Sequence, residues 1–180
     1  MQLREAAERV LFSSSLEEKL CLAPAQIKDN TPGKAVAFPD RPGRPDELQL
    51  SPKGTRAAFP GIHRIDKEHD RGVLLHFLAN HELLAAELMA LVLLRFPEAP
   101  VEYRAGVFRA MREEQIHTRL YLRRMRECGV EFGQLPLNDY FWRMISPVDS
   151  LMDFVTRLNL TFEQANLDFS RHQYNREPEI

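Results

Sequence analysis

"HELLAAELMALVLLRFPEAPVEYRAGVFRAMREEQIH", residues 81–117, reads as two long helices meeting at one corner. The first part is apolar from Leu83 to Leu94 apart from Glu87, and Pro97 and Pro100 in "RFPEAP" stop it. Proline ends a helix because it has no amide donor and its ring collides with the preceding turn. Working outward, the first helix should begin near Asp66 or His69 and run to Arg95. The second should run from about Val101 to Cys128, where Gly129 offers a left-handed terminator. Two helices joined by so short a corner must pack antiparallel.

The flanks are less regular. Residues 2–12 and 15–22 have helical spacing, with Ser15 placed to cap the second run ahead of Glu17 and Glu18. From Ala23 to Gly61 the chain is rich in proline and has no period, yet it carries Val36, Phe38, Leu48, Leu50 and Phe59. Those apolar residues suit an arm that wraps the fold better than a solvated linker. "VEFGQLPLNDYFW" reads as a loop with buried aromatics, and a third helix is expected from Pro147 or Ser150 to Asn166. No segment reads as a strand. The expected class is therefore all-α, an antiparallel helical bundle over residues 66–180 preceded by helices and an irregular arm over 1–65.

A chain of 180 residues, 44% hydrophobic and 28% charged, can bury the core of one ordinary domain. Its net charge of -2 argues against nucleic acid or anionic lipid as a partner, and Arg119, Arg123, Arg124 and Arg126 read as a solvated helix face. The apolar run of 83–94 is too short to span a bilayer. Cys21 and Cys128 form no zinc or redox motif, which suits a reducing cytoplasm. Spacing suggests no nucleophilic triad and no phosphate-binding glycine loop.

The chemistry concentrates on three residues. Glu82 lies thirteen positions before Arg95 and Glu114 thirteen after Val101, so both sit about 20 Å from the corner. His117 shares the face of Glu114 less than one turn on. Leu78, Ala85, Ala86 and Met89 share the side of Glu82, while Ala110, Met111 and Tyr121 border Glu114 or His117. Carboxylates among such neighbours need a counter-charge or a metal. Di-metal carboxylate bundles take one Glu from each of two helices and a Glu-x-x-His from each of the others. Glu82 and Glu163 suit the single positions, and Glu114 with His117 suits one pair. Against this, Glu-x-x-His arises readily by chance in a chain with seventeen Glu and six His, and Glu114 with His117 could be a solvated ion pair. Glu87 competes with Glu82 as the first-helix ligand. His81 points elsewhere and suits a supporting hydrogen bond, while His63, His69 and His76 read as surface or loop residues.

The blocks "HELLAAELM", "RFPEAP", "EEQIH", "GVEFGQLPLND" and "EQANLD", with the lead-in "PGRP" and "FPGIHRIDKEHDRG", together resemble the ferritin-like family known as domain of unknown function 455. That resemblance covers most of the chain. It implies a four-helix bundle able to house two iron or manganese ions, and no particular reaction. Wider relatives include oxygen- and peroxide-reacting oxidoreductases. The family continues into a fourth helix with a further Glu and His pair, whereas this sequence ends at Ile180 without a second Glu-x-x-His. Four of six expected ligands can be named: Glu82, Glu114, His117 and Glu163. The chain is then a fragment, or a partner completes it, or the site has decayed into a non-catalytic scaffold. The groove left by a missing fourth helix would favour a homodimer.

Overall fold

The computed structural model describes residues 1–52, 55 and 64–158. Among them the chain is helical and has no strand, apart from an isolated bridge between Gln2 and Lys28. The elements are α1 (Leu3–Phe12), α2 (Leu16–Leu20), a 3-10 turn at Asp46–Leu48, α3 (Glu68–Arg95), α4 (Val101–Glu127) and α5 (Tyr140–Ile145). Residues 151–158 are helical again. Helix α5 occupies the end of the segment expected to be a loop. At six residues it is shorter than two turns, so no apolar period could announce it.

The long helices form because their ends are well specified. Glu68 and Asp70 place acid in the first turn of α3, where the amide dipoles favour it, and Arg64 clamps Asp70 at 3.0 and 3.2 Å. Helix α4 closes with a Schellman turn. Gly129 at φ 73° donates its N–H to Arg126 at 2.9 Å, and Val130 donates to Met125 at 3.2 Å. Ser15 caps α2 as its sequence suggests, accepting the Glu18 N–H at 3.3 Å.

Helices α3 and α4 pack antiparallel along their lengths. Near the corner the Arg104 guanidinium donates to the carbonyls of Leu93 and Phe96 at 2.8 and 3.1 Å. At the far end Gly72 approaches so closely that an added Cβ would lie 2.7 Å from Val130. Every residue of α3 from Leu83 to Leu94 is buried. By length and hydropathy α3 could cross a membrane, more than the twelve-residue run suggested, but 78% of its apolar window lies inside the fold, as in a core helix.

Helix α1 and the irregular segment cover α3. Leu48 and Leu50 join the core with Leu3, Val10, Leu91 and Trp142. The segment is tied by backbone bonds from Val36 to Leu94 (3.1 Å), Gly43 to Leu11 (2.8 Å) and Ser51 to Leu137 (2.8 Å). The Trp142 indole donates to the Asp40 carbonyl at 2.9 Å.

Beneath this cover lies a sealed ionic cluster. Glu87 accepts two bonds from Arg44, at 3.1 and 2.7 Å, and faces the Lys19 ammonium at 3.1 Å. Arg44 also donates to Asn80 at 2.9 Å, and Lys19 donates to the carbonyls of Val10 and Leu11 at the end of α1. Three charged side chains without solvent contact are tolerable because nearly every polar atom has a partner.

Candidate metal centre

Glu82 stands on α3 and Glu114 with His117 on α4, at the matching depth that counting from the corner predicts. One ligand atom from each lies within 4.8 Å of the others. Donors around one small divalent ion are at most about 4.2 Å apart, since each bond is about 2.1 Å, so modest rotamer changes would close the group on a cation. Two carboxylates and an imidazole suit iron, manganese or zinc, while calcium would call for more oxygen donors.

The electrostatics are those of a site short of positive charge. Burial pushes the Glu82 carboxyl up to about 9, and the hydrogen bond to Glu114 and the charge of Glu114 add to it. Glu82 therefore keeps its proton at neutral pH in the metal-free chain and is hydrogen-bonded to Glu114. Glu114 also accepts from His117 Nδ1 across 3.0 Å. The Glu114 side chain is one-fifth exposed and that of His117 about half exposed, so the group opens to solvent on the α4 side. Tyr121 borders the cluster; burial raises its phenol, and the charges of Glu82 and Glu114 raise it further.

His81 stacks on Phe141 with ring centroids 4.6 Å apart, and burial lowers its imidazole against the opposing pull of Glu114. Glu87 is not in the cluster. Both its oxygens are engaged by Arg44 and Lys19, which separates it from Glu82 on the same helix. Glu163 lies outside the described residues. His69 is exposed, as expected, and His63 also falls outside.

His76 departs from expectation. It is wholly buried between Phe77 and Phe132, and its Nε2 accepts the Gly133 N–H at 3.1 Å. Helix α3 is apolar on so many sides that its sequence gives no contrast between an inner and an outer face. The roles of Lys19 and Arg44 were missed for another reason. Their partner Glu87 lies 68 and 43 residues away, and no local pattern links such positions.

Residues 3–176 match the model of the family described as "Protein of unknown function (DUF455)", and the chain belongs to that family. Nothing among curated proteins or solved structures is detectably similar to it.

Proposed function

We propose, from that membership and the cluster, that the chain is a ferritin-like metal-binding protein in which Glu82, Glu114 and His117 hold iron or manganese, and that it is itself an oxygen- or peroxide-reacting oxidoreductase. The observation that carries this reading is the convergence of three ligand atoms from two helices around a carboxyl that burial keeps protonated near neutral pH. A divalent cation would replace that proton and supply a redox-active centre with open positions. Glu114, hydrogen-bonded to His117 and beside Glu82, would be the bridge toward a second ion. A second ion would draw on Glu163 and on further ligands. His81, fixed by its stack on Phe141, would orient polar groups beside the site. The Tyr121 phenol offers a proton donor on the same side. Two free cysteines suit a reducing, cytoplasmic setting.

One observation favours a second reading. Glu82 keeps its proton and is hydrogen-bonded to Glu114, which is bonded to His117 at 3.0 Å, so a scaffold that binds no metal leaves none of the three without a partner. Elemental analysis by mass spectrometry separates the two. The chain is purified without a histidine tag after growth with added iron and manganese. Stoichiometric metal that is lost in His117→Ala supports the metal centre. Metal-free protein from the same growth rejects it and leaves the scaffold.

A further inference from the structure

The outer side of α4 presents Arg109, Glu113, Ile116, Leu120, Arg123 and Glu127, all exposed. They advance by alternating steps of four and three residues, so at 3.6 residues per turn they lie within about 40° of one line along the helix. Ile116 is 39% exposed and Leu120 49%, so two apolar side chains one turn apart lie at the middle of an otherwise charged stripe. Among the described residues Arg109, Glu113 and Arg123 enter no ion pair, and Glu127 is paired with Arg124 on its own helix at 2.9 Å.

The order of these residues has a two-fold symmetry. When the stripe is reversed and laid on itself about the level of residue 118, Arg109 meets Glu127, Glu113 meets Arg123, and Ile116 meets Leu120. A parallel alignment would instead set like charge against like at 109, 113, 123 and 127. We propose that α4 is a self-association surface, and that a second copy of this chain docks on it antiparallel, with Ile116 and Leu120 at the centre and four ion pairs flanking them. The arrangement is an isologous dimer, in which each contact occurs twice. The stripe is about 27 Å long, and the apolar centre with a charged rim is the usual anatomy of such a contact. His117 lies beside the stripe, so the two-fold brings both His117 side chains to the same flank of the dimer. The interface does not depend on whether the site binds metal.

Sedimentation equilibrium of the 180-residue chain across the micromolar range tests this. Wild type should dimerise and Leu120→Glu should be monomeric. Glu113→Arg and Arg123→Glu should each weaken the dimer by about tenfold or more, because each sets like charges face to face twice. The double variant Glu113→Arg with Arg123→Glu should recover to within about threefold of wild type, a rescue that general destabilisation cannot produce. Circular dichroism confirms that each variant is folded. A wild-type chain that stays monomeric, or a double variant as weak as the single ones, overturns the proposal.

Discussion

Glu82 and Glu87 stand five residues apart on the same helix and have opposite surroundings. Glu87 is sealed, and two cations share it. Glu82 faces a second carboxylate and a half-exposed imidazole, and among the described residues no Lys or Arg forms an ion pair with it. A buried carboxylate supplied with cations by the protein is a structural joint and has nothing left for a ligand. One left beside another carboxylate keeps a proton, and a cation can displace it.

The largest effect should come from breaking the joint. Glu87→Leu leaves Lys19 and Arg44 buried without their anion and should cost about 3–5 kcal/mol in urea unfolding. A loss below about 1 kcal/mol would mean that water reaches the cluster. The open group should respond to ligand instead. Manganese or ferrous iron at about a hundredfold excess over its dissociation constant should stabilise wild type by about 2.7 kcal/mol, and His117→Ala should lose most of that gain. Equal melting with and without metal would make the two clusters alike.

A separate effect is the pH dependence of the metal-free chain, to which the clusters contribute with opposite sign. The folded Glu82 carboxyl is raised from 4.5 to about 9, so in that window the native state binds more protons than the unfolded one. Its contribution is full below 4.5 and is lost as pH rises through about 9. Burial lowers the Lys19 ammonium below 10.5, against the pull of Glu87. Between that lowered value and 10.5 the unfolded state binds more protons, so stability gains as pH rises there and falls as pH is reduced. Glu82→Gln should flatten the decline and Lys19→Met the rise, as read from denaturation midpoints across pH. The smallest change should be at Ser15, outside both clusters, where Ser15→Ala removes the cap of α2 for about 1 kcal/mol and leaves metal uptake unchanged.

What the sequence showed and what it hid follow the same division. Helices α3 and α4 were legible because proline stops one and Gly129 terminates the other, and a fixed rise per residue then set Glu82 level with Glu114. Choosing between Glu82 and Glu87 was beyond it. That choice depends on Arg44, which reaches α3 from an irregular segment whose path no periodicity encodes. His76 and Lys19 were hidden by their type, since a histidine or lysine is ordinarily expected at the surface, whereas both here are fully enclosed.

The Arg44–Glu87–Lys19 joint also orders events during synthesis. Residues 1–52 are synthesised before Glu87 exists, so Lys19 and Arg44 have no anion to pair with while α1, α2 and the segment after them have no helix to cover. Closure of the N-terminal part over α3 therefore follows translation of α3.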